Sequence, residues 1–177
     1  LDHYSYKEAF SFPVENYYRA IGFDFQKEDF EIPAKEFIEL YDKNINDCPL
    51  HSSAIDVLSC FKRKKARQFI LSAMKQNMLE ENLEQKDITH YFEAVAGLND
   101  HYAVSKIERG QELIDKFNID IKNAWIIGDT DHDYEVANTL GIKCILIADG
   151  HQSEKKLKKT GAFIIDNLED LKHLPII

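Results

Sequence analysis

At 177 residues, 44% hydrophobic and 30% charged, the chain suits one α/β domain, or one domain with a small appendage. A chain of this size buries about 70% of its unfolded surface, so it needs no disulfide or metal staple. Lys and Arg number 22 against 31 Asp and Glu, and the net charge of −9 argues against nonspecific binding to nucleic acid or to an anionic membrane.

Residues 1–47 are dense in aromatics and acids and poor in β-branched runs. Within them Phe37, Ile38 and Tyr41 fall at helical spacing between Pro33 and Asn44, so the stretch reads as short helices with loops. The pattern changes near residue 48. Ser52 or Ser53 can cap a helix that places Ile55, Leu58 and Phe61 on one face. Ala66–Leu71 is a short strand, ended by Ser72 and followed by a polar helix to about Gln85. Glu93–Gly97 is a second strand. Ser105–Phe117 is a helix with Ile107, Ile114 and Phe117 as its buried face.

Ala124–Ile127 is a continuous apolar strand that stops at Gly128-Asp129-Thr130. Residues 131–140 form a helix with Val136, Ala137 and Leu140 inward and Gly141 closing it. Lys143–Ala148 is another apolar strand. A helix over 154–159, a strand over 162–165 and a helix over 167–173 complete the chain. Strands that alternate with helices and run unbroken in apolar residues belong to a parallel sheet covered on both faces. The expected fold is a doubly wound, Rossmann-like α/β core over residues 48–177, with a small helical cap over residues 1–47.

No apolar run approaches the ~20 residues of a membrane span, and no signal-peptide pattern opens the chain. Cys48, Cys60 and Cys144 are far apart and odd in number, which suits reduced core thiols of a cytoplasmic protein. The basic runs Lys62–Lys65 and Lys155–Lys159 read as solvated helix ends.

In an open parallel sheet, ligands bind beyond the carboxyl ends of the strands. Three positions stand out there. Asp129 follows the most apolar strand and Asp133 falls in the first turn of the next helix, so both can face one crevice. Two carboxylates so placed make a hard-oxygen site of the kind Mg²⁺ takes, leaving room for water and a phosphate. An acid at a helix start can also do no more than complement the helix dipole, and Asp131 is assigned that role. Ser72 offers a hydroxyl beside the free N–H groups of a helix start, which suits an anionic oxygen, although such a serine is equally an ordinary cap. Lys106 opens a helix, where the dipole disfavours a cation, so a buried anionic partner would account for it.

The order strand–Ser72, Lys106 at a helix start, then strand–Gly128-Asp129-x-x-x-Asp133 resembles the haloacid dehalogenase-like hydrolases. The likeness is to their small-cap phosphatases, which include phosphoglycolate phosphatase-like proteins. It extends over nearly the whole chain, through Glu135-Val136-Ala137, Leu140-Gly141-Ile142, Gly150-His151-Gln152-Ser153, Leu157, Thr160-Gly161-Ala162 and Gly22. By this resemblance Ser72 holds the substrate phosphate, Lys106 neutralises it and the nucleophile, and Asp129 and Asp133 hold Mg²⁺. The implied reaction is hydrolysis of a small phosphorylated metabolite through an aspartyl-phosphate. A metal-free dehalogenase, a phosphate-transferring mutase and a non-catalytic binding protein are alternatives on the same fold. One departure is Ile107, where many relatives carry a proline.

The larger departure is the nucleophile. The family's Asp-x-Asp-x-Thr motif follows its first strand, upstream of the cap, and no such motif stands there in residues 1–177. The chain opens at Leu1, where the family's cap begins. The expectation is a longer polypeptide whose upstream segment supplies the central strand and the motif.

Overall fold

The computed structural model describes residues 1–98 and 105–175. Three helices come first: α1 (His3–Ala9), α2 (Val14–Ala20) and α3 (Glu31–Asn44), with a 3-10 turn at Ile45–Asp47. No strand lies among them. Asp2 caps α1, its Oδ1 accepting the Ser5 N–H at 2.7 Å. Their interior is largely aromatic. Tyr18 is buried between the rings of Phe23 and Phe30, both set edge-on to it at 5.1 and 5.6 Å.

The α/β part then runs α4 (Ala54–Arg63), β1 (Phe69–Lys75), α5 (Gln76–Gln85), β2 (Ala94–Leu98), α6 (Lys106–Phe117), β3 (Trp125–Gly128), α7 (Asp131–Leu140), β4 (Lys143–Ile147), α8 (Glu154–Leu157) and β5 (Phe163–Ile165). The chain ends in a 3-10 helix, Leu168–His173. Among the described residues all strand pairs are parallel, as the alternation with helices predicts. β1 pairs with β2, and β3, β4 and β5 form a second group with β4 in the middle. Among the described residues β1 and β3 each pair along one edge only.

That one-sided pairing explains the burial. In β4, Ile145 and Leu146 are fully buried, and Ile145 packs against Val57, Ile165 and Leu171. Each such side chain stabilises the fold by roughly 1.5–3 kcal/mol. In β3, Trp125, Ile126, Ile127 and Gly128 are equally apolar in sequence but only half-buried. A second cluster, Leu79, Leu83 and Ile88, fills the space beneath β1 and β2. α6 links the two groups. A Cβ on Gly110 would stand 2.5 Å from Leu140 Cδ1 and 3.1 Å from Leu71 Cδ2, so a larger residue would have to push these leucine side chains aside for the helix to seat between them.

Several expectations are corrected. β1 does not stop at Ser72 but continues to Lys75, past a shift in its register with β2 between Leu71 and Lys75. The buried face of α6 is Gly110 and Leu113, with Ile107, Ile114 and Phe117 on its half-buried flanks. The sequence pattern gives a glycine no weight, yet the close approach to Leu140 centres the face there. Cys48 is exposed and not a core thiol, because it follows the 3-10 turn outside both clusters. Lys156 is not a solvated helix end, since its ammonium donates to Phe10 O and is half-buried. Gly141 closes α7 in the left-handed region at φ +71°, as read from the sequence.

Candidate active site

The strand-to-helix junction after β3 builds the site. Thr130 is the N-cap of α7, and Asp133 is the third residue of its first turn. The two close a reciprocal capping box. Thr130 Oγ1 accepts the Asp133 N–H at 3.3 Å, and Asp133 Oδ2 accepts the Thr130 N–H at 3.1 Å. Asp133 Oδ2 also accepts from Thr130 Oγ1 at 2.7 Å and from the Asp129 N–H at 3.1 Å. This fixes the carboxylate with Oδ1 directed away from its own helix.

Oδ1 meets Lys106. Ser105 caps α6 in the same reciprocal fashion with Glu108, which sets Lys106 as the first helical residue. Its ammonium lies 2.5 Å from Asp133 Oδ1, with 15% of the lysine side chain and 8% of the aspartate exposed. Burial opposes ionisation of Asp133. The charge and hydrogen bond of Lys106, the Thr130 hydroxyl and the Asp129 N–H together outweigh it and hold the carboxyl below the ordinary aspartate range. The cation at a helix start, anomalous in sequence, has the anionic partner that accounts for it.

Asp129 follows the last residue of β3. Its Oδ2 accepts the main-chain N–H of His151 at 2.7 Å. Among the described residues no protein group bonds its Oδ1. Two glycines make the approach possible. A Cβ on Gly150 would fall onto the Asp129 carboxylate, and one on Gly128 onto that of Asp133. Both carboxylates thus press against bare backbone. Asp131, read as a dipole acid, does more. Its N–H donates to Gln152 Oε1 and its Oδ1 accepts from Gln152 Nε2, each at 2.8 Å, with Gln152 fully buried.

The structure therefore gathers Lys106, Asp129 and Asp133 at the carboxyl end of β3. Ser72 is not joined to them by any hydrogen bond among the described residues. It is half-buried inside β1, and its Oγ accepts the Met74 N–H at 3.1 Å. Sequence reading missed what lies above Asp129: Tyr6 and Phe10 around His151, and Phe12 against His132 at 5.1 Å. The aromatic density of residues 1–47 was the available signal, but it carries no partner.

Donor chemistry bears on a metal. Among the described residues no group of three or more His, Cys, Asp and Glu stands together. Mg²⁺ needs only one or two carboxylates, completing its shell with water and phosphate oxygens. Asp129 Oδ1 is such a donor. Asp133 has both oxygens engaged, so it would reach a cation in place of Lys106 or across a water.

The family model described as haloacid dehalogenase-like hydrolase matches residues 2–147. The chain belongs to that family. Solved structures agree in fold. The chain superposes on a predicted phosphatase from Clostridium acetobutylicum at TM-score 0.76 and 19% identity, over 90% of this chain and 74% of that one. A haloacid dehalogenase-like family hydrolase from Streptococcus pneumoniae gives TM-score 0.71 and 20% identity, over 97% and 89%. A predicted phosphoglycolate phosphatase from Haemophilus somnus gives 0.71 and 16%, over 96% and 79%. No curated protein matches. Among the described residues no helix is long and apolar enough to cross a membrane.

Proposed function

We propose that residues 1–177 are the larger part of a magnesium-dependent phosphatase acting on a small phosphorylated metabolite in the cytoplasm. The observation that supports this reading is the buried Lys106–Asp133 pair beside Asp129, at the strand end where this fold binds ligands. An aspartate from a segment outside residues 1–177 is the proposed nucleophile, forming an aspartyl-phosphate that water then hydrolyses. The unpaired edges of β1 and β3 are where its strand would lie.

Each residue has a share. Lys106, held in place by Asp133, neutralises charge on the transferred phosphoryl group. Asp129, and Asp133 beyond Lys106, are the proposed carboxylates of the magnesium site, which when filled supplies positive charge to the phosphoryl oxygens. Ser72, once its hydroxyl turns from Met74, donates to a phosphate oxygen. The helices before residue 48 would cover the crevice and select the substrate. The net charge of −9 supports neither nucleic acid nor an anionic membrane as a partner.

Hydrolysis of p-nitrophenyl phosphate tests this, comparing residues 1–177 with the full polypeptide that carries an upstream Asp-x-Asp segment. The full polypeptide should turn over with Mg²⁺ and stop with EDTA, while residues 1–177 alone should be inactive. Robust Mg²⁺-dependent turnover by residues 1–177 would overturn the placement of the nucleophile. Activity of the full polypeptide that survives EDTA would overturn the magnesium phosphatase and favour a metal-free hydrolase.

A further inference from the structure

Residues 6–10 are fastened to the turn at 148–156 by contacts that the phosphatase reading does not use. Lys7 Nζ donates to Ala148 O at 3.1 Å, and the Ser153 N–H donates to Lys7 O at 3.3 Å. Gln152 Nε2 donates to Phe10 O at 3.3 Å. At the centre, the Tyr6 hydroxyl meets His151 Nδ1 at 2.5 Å, and the Phe10 ring stacks on the imidazole at 5.0 Å and 23°. Burial, then Tyr17 and then Asp129, push the Tyr6 phenol up to about 12, so it keeps its proton and can donate to Nδ1.

The other side of the same turn holds Asp129 and the neighbouring Asp131. The His151 N–H fixes Asp129 Oδ2, and Gln152 grips Asp131. One short segment therefore joins α1 to both aspartates. We propose that Tyr6 and His151 are positioning residues for Asp129: the docking of α1 through the Tyr6–His151 hydrogen bond fixes the turn whose N–H aims the Asp129 carboxylate.

The bond to Asp129 comes from backbone, so any residue but proline at 151 could donate it, provided the turn stays in place. Gly150 leaves that turn conformationally free, and no helix or strand spans residues 148–153. Besides the bonds of Gln152 to Asp131 and of the Ala148 N–H to Ile165 O, what anchors it are its contacts with residues 6–10. Because the two contacts share one turn, they are linked reciprocally. Whatever orders the Asp129 carboxylate strengthens α1 docking, and loss of docking loosens Asp129 by the same factor.

The test has two arms, and only the second rests on the reading of Asp129 as a magnesium ligand. First, amide hydrogen exchange is measured on the metal-free full polypeptide, wild type and Asp129→Ala. Peptides over residues 3–10 should exchange several-fold faster in the variant, while residues 79–88 of the distant cluster hold their rate. Unchanged exchange at 3–10, or equal acceleration at 79–88, would overturn the clamp. Second, Mg²⁺ is titrated calorimetrically into wild type, Tyr6→Phe, His151→Ala and His151→Gln. Tyr6→Phe and His151→Ala should weaken binding by at least about five-fold, with partial recovery in His151→Gln, whose amide oxygen can accept from the phenol. Wild-type affinity in both weakened variants would also overturn the proposal. If the wild type takes up no Mg²⁺, the magnesium reading of Asp129 falls, and the exchange arm alone decides the clamp.

Discussion

Lys106 and Asp133, the first-turn residues of two different helices, form a buried ion pair of 2.5 Å. Each is set by the cap of its own helix, Ser105 for one and Thr130 for the other. The pair is thus a product of two local turns brought together by the seating of α6 against α7. Removing one partner leaves a charge that the surroundings cannot solvate. Lys106→Met should therefore destabilise the protein by about 3–5 kcal/mol. Urea denaturation of Lys106→Met, Asp133→Asn and the double variant should give a coupling energy of about 1 kcal/mol or more. Additive losses would mean that the two charges do not interact.

The same pair predicts a pH dependence. The Asp133 carboxyl is held below its ordinary value of 3.8 in the folded protein, so the folded state favours its ionised form. Its contribution is present above about pH 4 and is lost as pH falls through the folded value. The urea midpoint should drop as pH falls below about 4, and Asp133→Asn should flatten part of that drop. A variant that follows the wild-type curve throughout would remove Asp133 from the cause.

Gly150→Ala should disturb the site without removing a polar group. The added methyl falls onto the Asp129 carboxylate, so either the turn or the carboxylate must move. Mg²⁺ affinity, read by calorimetry, should fall by roughly 10-fold or more, as for the loss of a group that orients a metal ligand. Wild-type affinity would show that the bond from His151 to Asp129 is dispensable.

The cysteines should separate cleanly under alkylation. Burial, then the charge of Asp133, push the Cys144 thiol up to about 12, whereas Cys48 is exposed. Iodoacetamide at pH 8, followed by peptide mass mapping, should label Cys48 and leave Cys144 intact. Rapid labelling of Cys144 would mean that the region between β4 and the Lys106–Asp133 pair opens in solution.

What the sequence revealed of this site follows from the range of the contacts. Asp129 and Asp133 were legible because a strand end, a glycine and a helix start lie within six residues, and local signals place all of them. Lys106 was legible as an electrostatic anomaly that demanded an acid. Ser72 misled. Its hydroxyl fits a helix cap, but the shifted register with β2 carries the strand three residues further, and α5 then begins after Lys75 with no side-chain cap. Tyr6 and His151 are 145 residues apart, and neither has a periodicity or local partner to mark it. Gln152 stands out in the sequence only within Gly150-His151-Gln152-Ser153, yet it is fully buried, with Asp131 and Phe10 O using both ends of its amide.

The half-paired strands β1 and β3 carry a hazard as well as an opportunity. An unmatched row of N–H and C=O groups beside Ile126 and Ile127 is a template that accepts any extended chain, including a copy of itself. A polypeptide that leaves these rows bare is on the way to intermolecular sheets, and its solubility should fall steeply with concentration. Light scattering against dilution would reveal this, and a synthetic peptide with a strand able to lie between β1 and β3 should keep the solution clear.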